Sequence, residues 1–479
     1  MLRRCFSLLW LAYVLTTLSI YGQRRDIHIL SANDMHATIQ AFPKLAAIAD
    51  SLREIDPELL VFSAGDNRTG NPINDKHEIS GYPMVALMNQ VGFNGSALGN
   101  HEFDMCSLAR LTDLSNFRYI CANMTAEPET GIHVVPCQVF DVKGLKVGVV
   151  GAIQLSPEGI PSTHPSNLKG LHFQPVSEVL PQYEWMRREC DVVILLSHLG
   201  YEDDCAMADA FPWLDLIIGG HTHTQLKDDE IRNGVLITQN KNKLSRVTHI
   251  TLTVDDGRVV SKHAEYINVK SFPRKNKIVE EMVRFFSNNP AFRRVIARAE
   301  TPFEVREELG CMLCDALMDI CHADVAVHNP GGVRIDSLSS RDITIHDVLE
   351  MDPFNNQAVI LELTGNEMVQ MMLSYCHHNL SSFPYVGGMR CLLKTDKKNP
   401  RLVRSVKLLT PEGKKMDMKR KYRVATNNYV PATSKIPDGS SHDLGMLTTD
   451  IIIQYLEKQQ TVNYQGVRRL EVKSKKSKK

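Results

Sequence analysis

The segment Gly-Asn-His-Glu-Phe-Asp, residues 99–104, places an amide, an imidazole and two carboxylates within six positions. Burying such a group as ordinary core is costly, because each polar side chain must find a partner away from water. The residue types are those that bind metal ions and move protons. The segment therefore points to chemistry rather than to packing.

Polar residues of the same kinds follow four other short apolar runs of the chain. Open α/β sheets bind small molecules at the carboxyl ends of their strands. We therefore expect all these residues to lie close together at that edge of the sheet. A set of oxygen and imidazole ligands without a thiolate suits Zn, Mn, Fe or Co rather than a structural Cys-type zinc site. The candidate ligands are Asp34, His36, Asp66, Asn100, His198, His221 and His223.

Seven ligands are too many for one tetrahedral ion. Two sites of four ligands each result if one carboxylate is shared, and Asp66, central in the order, is the expected bridge. Two divalent ions about 3.5–4 Å apart form a clamp for in-line displacement at phosphorus, with a bridging hydroxide as the nucleophile. The spacing therefore predicts a dinuclear phosphate-processing site.

The elements that must position these residues follow an α/β pattern from Asp26 to about Val269. Apolar runs such as LLVFSAG, KVGVVGAI and DVVILLSH alternate with helical stretches, and near-continuous apolar strands suit a sheet covered on both faces. A charged helical segment, 271–298, reads as a connector. A second α/β pattern then runs from about Glu300 to Leu470, with DVAVHN, QAVILEL and YRVATNN as strands.

The bulk composition is that of a globular chain of several domains. The chain has 479 residues, 43% hydrophobic and 23% charged, and a length prior gives about two to four domains. The 55 basic residues balance 55 acidic ones, so no global field favours nucleic acid as a partner. The basic tail, 471–479, reads as a solvated end.

The N-terminus has the layout of a secretory signal. Arginines at positions 3 and 4 precede an apolar run from Phe6 to Ile20, followed by Gly22. An uncleaved anchor is the alternative, since no clean cleavage site is present. No other stretch is apolar enough to span a bilayer. We therefore expect an exported protein, periplasmic or secreted, without stable membrane insertion after signal removal.

Cysteine usage permits disulfides without defining them. Ten of the eleven cysteines remain after removal of the signal, an even number. Cys311 and Cys314 form a C-x-x-C within an apolar helical pattern, which favours core packing over a redox or zinc role.

Five motifs in the first half resemble those of the two-domain 5'-nucleotidase family, a branch of the calcineurin-like metallophosphoesterases. They are NDMH, AGD, LGNHEFD, SHLG and GGHTHT, within residues 26–250. The resemblance implies a four-layer α/β/β/α sandwich followed by a smaller α/β (α+β) substrate domain. The expected partition is a signal at 1–22, a metallophosphoesterase domain at 24–269, a helical connector at 270–299, a substrate-binding domain at 300–470 and a basic tail at 471–479.

The same resemblance implies roles for the ligands. One ion takes Asp34, His36, Asp66 and His223, and the other takes Asp66, Asn100, His198 and His221. His101 faces the substrate phosphate and is held by Asp104, because a carboxylate three residues away can orient an imidazole and favour its charged form. Glu102 and Phe103 are expected to be structural.

The second half also resembles that family in its segments REELGCMLCDAL, HNPGGVR and MDPFNN. The resemblance places Arg306, Asn329 and Arg334 near the substrate and matches Phe354 to a base-stacking aromatic. Stacking on one ring contributes about 1–3 kcal/mol and tolerates any base.

Two positions depart from the family pattern. A Gly-Gly-Asp-Gly-aromatic turn is replaced by a segment in which no aromatic follows PDGSS, and Ala37 stands where relatives often carry glycine. A one-sided base site and an altered rim are expected.

The predicted function is an exported dinuclear phosphohydrolase acting on 5'-nucleotides. A cyclic-nucleotide phosphodiesterase or nucleotide-sugar pyrophosphatase with the same metal centre is the alternative. A degenerate domain that binds nucleotides without turnover would be expected to lack a ligand, and none is missing. The sequence gives no indication of oligomeric state.

Overall fold

The computed structural model describes residues 24–104, 107–379, 383–396 and 398–474, so the signal segment lies outside the described residues. The chain divides into two compact units. The first is built from the residues up to Arg68, Ile79–Thr163 and Asn167–Phe285. The second is built from Thr69–Glu78, His164–Ser166 and the residues from Phe286 onward.

The N-terminal half contains fifteen described strands and eight described helices. The strands are β1 (Arg25–Ala32), β2 (Leu60–Ser63), β3 (Gly95–Ala97), β4 (Arg118–Ile120), β5 (Met124–Ala126), β6 (Val134–Val135), β7 (Cys137–Val142), β8 (Leu145–Ile153), β9 (Leu171–Phe173), β10 (Val192–His198), β11 (Leu216–Ile218), β12 (Glu230–Arg232), β13 (Val235–Thr238), β14 (Arg246–Asp255) and β15 (Arg258–Asn268). The helices are α1 (Phe42–Ile55), α2 (Pro72–Asp75), α3 (Tyr82–Val91), α4 (Leu108–Leu114), α5 (Val176–Val179), α6 (Met186–Glu189), α7 (Tyr201–Ala210) and α8 (Lys277–Phe286).

Two sheets form the first unit. One has the strand order β15-β14-β1-β2-β3-β4-β6, and the other has the order β12-β13-β11-β10-β8-β7. The central strands of each sheet are parallel, and the antiparallel pairs lie toward the edges. The apolar runs of the sequence all become such strands, and parallel strands buried on both faces explain why those runs are continuous.

The two sheets of this unit pack face to face. Ile29 of β1 and Phe62 of β2 share one buried cluster with Val149 of β8 and Ile194 of β10. Alternate residues of the second sheet, such as Leu195, pack instead against the helices on its outer face. This arrangement is the predicted α/β/β/α sandwich.

The C-terminal half contains eleven strands and five helices within the described residues. The strands are β16 (Val295–Ala299), β17 (Val325–His328), β18 (Asp342–Thr344), β19 (Gln357–Thr364), β20 (Tyr385–Gly387), β21 (Arg390–Thr395), β22 (Val403–Leu409), β23 (Lys421–Asn427), β24 (Ser441–Leu447), β25 (Thr461–Val462) and β26 (Leu470–Ser474). The helices are α9 (Arg306–Cys321), α10 (Ile345–Met351), α11 (Gly365–His378), α12 (Tyr429–Ala432) and α13 (Thr448–Gln459).

A mixed five-stranded sheet, in the order β20-β17-β23-β19-β24, is the centre of the second unit. Ile360 and Ala425 face a cluster that includes α9 and α13, whereas the neighbouring Leu361 and Val424 face a cluster that includes α11. This period-two alternation buries both faces of the sheet. The second unit is therefore the smaller α/β domain that the sequence predicts.

Two stretches differ from the partition expected from the sequence. The segment predicted as a connector, 270–299, contains α8 but ends in β16, which pairs with β18 and β25. The first residues of the predicted tail belong to β26, because their backbone pairs with β21. Composition predicts a charged helical connector and a solvated basic tail, because it does not register strand partners that lie far along the chain.

The structure also shows where the C-x-x-C pair lies and whether a described helix could cross a membrane. Cys311 and Cys314 lie within α9 and are fully buried in the core, and the nine cysteines among the described residues are free. Within the described ranges, no helix combines the length and the apolarity needed to cross a bilayer.

Candidate metal centre

The predicted ligands lie at the carboxyl ends of strands from both sheets of the first unit. Asp34 and His36 follow β1, Asp66 follows β2, and Asn100 opens a short 3-10 helix after β3. His198 is the last residue of β10. The loop after β11 carries the remaining ligands, His221 and His223. The structure therefore brings all seven residues to one edge of the sandwich.

Four short distances join the ligand atoms. Asp34 Oδ1 lies 3.2 Å from His223 Nε2, which is itself 3.2 Å from His36 Nε2. Asp66 Oδ2 lies 3.3 Å from His198 Nε2. Asn100 Oδ1 lies 3.2 Å from His221 Nδ1. Asp34, His36 and His223 can converge on one ion, and Asp34, Asp66 and His198 can also share one.

The surroundings of His198 fit a cation. Its Nδ1 lies 2.6 Å from the Ala64 carbonyl oxygen, which only accepts, so Nδ1 carries a proton. Nε2 of a neutral ring is then a lone pair, fully buried and without a hydrogen-bond partner, facing the Asp66 carboxylate. Two electron-rich atoms held this close require a positive charge between them. Either a proton on Nε2 or a divalent ion between the two atoms meets that requirement.

The ionisation states of the predicted ligands follow from their burial and from one another's charges. Burial raises the pKa of Asp66, but the charges of His198 and His101 outweigh it and leave that pKa well below its ordinary value. Burial lowers the pKa of His221, helped by the charge of His198, to about 4. Burial also lowers the pKa of His198, but Asp66 and Asp34 raise it to about 10. A proton thus sits on His198 where no ion competes for the lone pair.

The backbone at the ligands is strained. Asp34, His36, Asp66, His221 and His223 all have positive φ, between 42° and 76°. Non-glycine residues in this left-handed region each cost about 1–3 kcal/mol, and such residues cluster at functional sites. Ala37 has a φ of 52° as well, which explains why glycine suits that position. The loops are therefore held for the direction of their side chains.

Glu102 is the residue that holds two of these loops, a role the sequence interpretation left unspecified. Its buried carboxylate accepts the backbone N–H groups of Asp66 at 2.9 Å, Asn67 at 2.8 Å and Gly99 at 2.6 Å. Burial and the charge of Asp66 raise its pKa to about 7, against the effect of those N–H groups. Its position three residues after Gly99 is capping-box spacing, which is the signal that could have indicated this role.

Gln239 and Asn242 stabilise the loop after β11, which carries His221 and His223. The sequence did not indicate this role. Gln239 Oε1 accepts the Thr224 N–H at 2.6 Å, and its Nε2 donates to the Gly220 carbonyl at 3.0 Å. The Asn242 amide lies 3.1 Å from His223 Nδ1. Gln239 follows β13, so the strand-end argument used for the ligands could have identified it.

His101 and Asp104 form the predicted pair. His101 Nδ1 lies 2.6 Å from Asp104 Oδ2, and the Thr163 hydroxyl donates to Asp104 Oδ1 at 3.1 Å. The backbone N–H of His101 donates to Asp66 Oδ1 at 2.9 Å. The imidazole is therefore oriented beside the predicted metal ligands, with Nε2 3.9 Å from Asp66 Oδ2.

The predicted substrate residues all belong to the second unit. The Arg334 guanidinium lies over the Phe354 ring, 5.7 Å from its centroid. Asn329 is buried, and its Oδ1 accepts from Asn427 Nδ2 at 2.7 Å. Arg306 instead forms an exposed ion pair with Asp336. Arg334 and Phe354 therefore contact each other, whereas Asn329 pairs with Asn427 and Arg306 pairs with Asp336.

The turn that lacks the second aromatic is also defined. Ser440 donates its hydroxyl to the Pro437 carbonyl at 2.6 Å, and no ring stands at this point of the turn. Tyr429 begins α12 and packs against the apolar cluster beneath α11. Tyr429 is thus part of the packing of that cluster.

Comparison with known proteins agrees with this geometry. The family model for calcineurin-like phosphoesterases matches residues 27–225, and the model for the 5'-nucleotidase C-terminal domain matches residues 287–435. Protein UshA of Yersinia enterocolitica is 27% identical over 90% of this chain and 91% of its own.

Solved structures share the fold. The 5'-nucleotidase precursor of Thermus thermophilus superposes with a TM-score of 0.83 at 23% identity, covering 94% of this chain and 99% of that one. The sulfate thiohydrolase SoxB of the same organism superposes with a TM-score of 0.75 at 18% identity, covering 90% and 82%. These likenesses concern architecture. Through its two matched domains, the chain belongs to the two-domain 5'-nucleotidase family and is a metal-dependent phosphoester hydrolase.

Proposed function

We propose that the protein is an exported phosphohydrolase that removes the phosphate of 5'-nucleotides with two divalent metal ions. The observation that carries this proposal is the arrangement around Asp66. Its two carboxylate oxygens approach His198 Nε2 on one side and the His101 backbone on the other. The ligand cluster and the His101–Asp104 pair therefore share one residue and act on one substrate group.

In this proposal the predicted ligands form two sets with Asp66 in common. When bound, divalent ions there would offset the charge of a phosphate and lower the pKa of water for attack at phosphorus. The first set is Asp34, His36, Asp66 and His223, and the second is Asp66, Asn100, His198 and His221.

His101 handles the proton at the leaving oxygen. Because Nδ1 donates to Asp104, Nε2 is the ring atom proposed to hold a second proton and face the phosphate. The neighbouring carboxylate stabilises the charged ring. In this proposal His101 stabilises the negative charge of the transition state and protonates the leaving alkoxide.

Phe354 and Arg334 are the proposed nucleoside contacts. Arg334 lies over the Phe354 ring, 5.7 Å from its centroid, and in this proposal the ring stacks on the base. Ser440 supplies no second ring, so stacking is one-sided and tolerant of the base. This favours a broad 5'-nucleotide substrate range over a strict purine preference. Asn329 and Arg306 are proposed as further contacts to the substrate.

A substrate panel tests the proposal. Protein lacking residues 1–22 is reconstituted with Mn²⁺ or Zn²⁺ and given adenosine, guanosine, uridine and cytidine 5'-monophosphates, a cyclic nucleotide, a nucleotide sugar and p-nitrophenyl phosphate. Asp66→Asn, nearly the same size but without the charge, is the matched control. The expected result is the highest kcat/KM for the four 5'-nucleotides, with similar values among them, and no turnover by the control.

Other outcomes have definite meanings. Preferential cleavage of the cyclic nucleotide or the nucleotide sugar would establish the diesterase or pyrophosphatase alternative. Equal turnover of p-nitrophenyl phosphate and the nucleotides would leave the metal chemistry and remove the nucleoside specificity from the proposal.

A further inference from the structure

A segment from the N-terminal half of the chain belongs to the second unit. Residues Thr69–Glu78 leave the sandwich after β2 and are grouped with the C-terminal half. The segment is internally braced, because Asp75 Oδ2 accepts the N–H groups of Gly70 at 2.8 Å and Asn71 at 2.9 Å. Helix α2 lies in this segment and packs against α10. The braced turn presents Lys76 at its end.

Lys76 reaches the loop that carries Phe354. Its Nζ donates a hydrogen bond to Asn355 Oδ1. Burial lowers the pKa of Lys76, and three nearby carboxylates oppose that shift. They belong to Asp352, Asp75 and Asp450. The Lys76 ammonium is thus a half-buried positive charge close to three carboxylates.

Both ends of this loop, residues 352–356, are fixed by other contacts. At the first end, the Asp352 carboxylate is fully buried and accepts the Thr448 hydroxyl. At the other end, the Thr448 N–H donates to the Asn356 carbonyl at 2.8 Å. Phe354 and Asn355 form the middle of the loop. Asn355 adopts a φ of 54°, a left-handed conformation in which asparagine is enriched among non-glycine residues.

We propose that Lys76 is a positioning residue for nucleoside binding: its contact with Asn355 and its charge near Asp352 hold the loop that aims Phe354 at the base. This inference rests on the proposed function. Without the ammonium, the buried Asp352 loses a neighbouring cation and Asn355 loses a hydrogen-bond donor. The Phe354 ring then samples orientations in which it does not stack.

Substrate discrimination tests the inference. Lys76→Met keeps the aliphatic length without the charge, and Lys76→Arg keeps the charge. Lys407→Met, at an exposed lysine of the same unit, is the matched control. For Lys76→Met we expect KM for adenosine 5'-monophosphate to rise about tenfold, as for loss of one stacking contact, with kcat within about threefold. The kinetics for p-nitrophenyl phosphate, which carries no base, stay at wild-type values. Lys76→Arg restores KM to within about threefold.

A double-mutant cycle separates positioning from general loss of structure. If Lys76 acts through Phe354, adding Lys76→Met to Phe354→Ala leaves KM for the nucleotide where Phe354→Ala alone puts it. Additive increases in KM would overturn the inference, as would an unchanged KM in Lys76→Met or an equal loss on p-nitrophenyl phosphate. Should Lys76→Met not fold, Lys76→Gln is read by the same criteria.

The two proposals fail in distinguishable ways. A wild-type protein that does not prefer nucleotides to p-nitrophenyl phosphate refutes the nucleotidase proposal and the role of Lys76 with it. A wild-type protein with that preference, together with a Lys76→Met variant that retains it, refutes only the role of Lys76.

Discussion

At the scale of single residues, the proposed function gives Asp66 the role of a metal ligand and His101 the role of a proton donor. Asp66 is ringed by imidazoles and a backbone N–H, whereas His101 is directed by Asp104 through a 2.6 Å contact. A ligand and a proton donor have different consequences when removed. Loss of a metal ligand should lower the bound metal content, whereas loss of the proton donor should lower kcat and leave the metal content unchanged.

His101→Ala tests that division. We expect kcat for 5'-nucleotides to fall about 10²- to 10³-fold, the usual contribution of general acid catalysis, while metal content stays at the wild-type value. Thr163→Val removes only the hydroxyl on Asp104 and should cost less than about threefold in kcat. Metal content is measured by elemental mass spectrometry on desalted protein. A matching loss of metal in His101→Ala would show that His101 is a ligand.

Ala37 provides a prediction about strain. Its φ of 52° costs a residue with a side chain about 1–2 kcal/mol, and glycine avoids that cost but adds about 0.5–1 kcal/mol of unfolded-chain entropy. Ala37→Gly should therefore be neutral or raise the free energy of unfolding by up to about 1 kcal/mol in urea titrations. Ala206→Gly, exposed within α7, should lower it by about 1 kcal/mol. A marked destabilisation by Ala37→Gly would contradict the strain argument.

At the scale of elements, strand ends and helix ends do the positioning. Glu102 ties the loop after β2 to the loop after β3 through backbone N–H groups, and Gln239 does the same within the loop after β11. Neither needs to touch substrate. The site therefore depends on buried polar residues that fix backbone, and apolar replacements there would leave those backbone groups unpaired.

The start of α10 yields a pH-dependent prediction. Asp347 accepts from Thr344 N at 2.7 Å and from two Arg341 nitrogens at 2.6 and 2.9 Å. Burial raises the pKa of Asp347, but Arg341 and Thr344 outweigh it and leave the pKa below its ordinary value of 3.8. The stabilisation is therefore complete above pH 4 and is lost as pH falls through the lowered pKa.

Asp347→Asn should lower the free energy of unfolding by about 1 kcal/mol at pH 7, as for loss of a helix cap. The difference from wild type should shrink as the pH is lowered below 4, because the wild-type carboxylate is then protonated. Urea titrations at several pH values measure this. A difference that grows in acid would refute the assigned direction of the pKa.

At the scale of the whole molecule, the sequence predicted the parts better than their assembly. Apolar runs such as DVVILLSH identify strands because parallel strands buried on both faces have no polar positions. The strand-end argument assembled the ligand set from Asp34 to His223 without any contact information. The pattern of apolar runs predicted two α/β regions, and the family resemblance supplied the four-layer sandwich and the substrate domain.

What escaped prediction depends on long-range pairing. Nothing local in 295–299 or 470–474 indicates a strand, because both gain their partners from far along the chain. The grouping of Thr69–Glu78 with the second unit is of the same kind. The accepting roles of Glu102 and Gln239 involve backbone groups that a sequence does not bring together.

Metal titration of activity is the measurement that tests the account most directly. Protein stripped with a chelator is given Mn²⁺ or Zn²⁺ in known equivalents, and phosphate release from adenosine 5'-monophosphate is followed alongside bound metal. We predict no activity in the stripped protein and full activity at two equivalents per chain. The Asp66→Asn variant should remain inactive at any metal content. Undiminished activity in the stripped protein, or full activity in Asp66→Asn, would contradict the account.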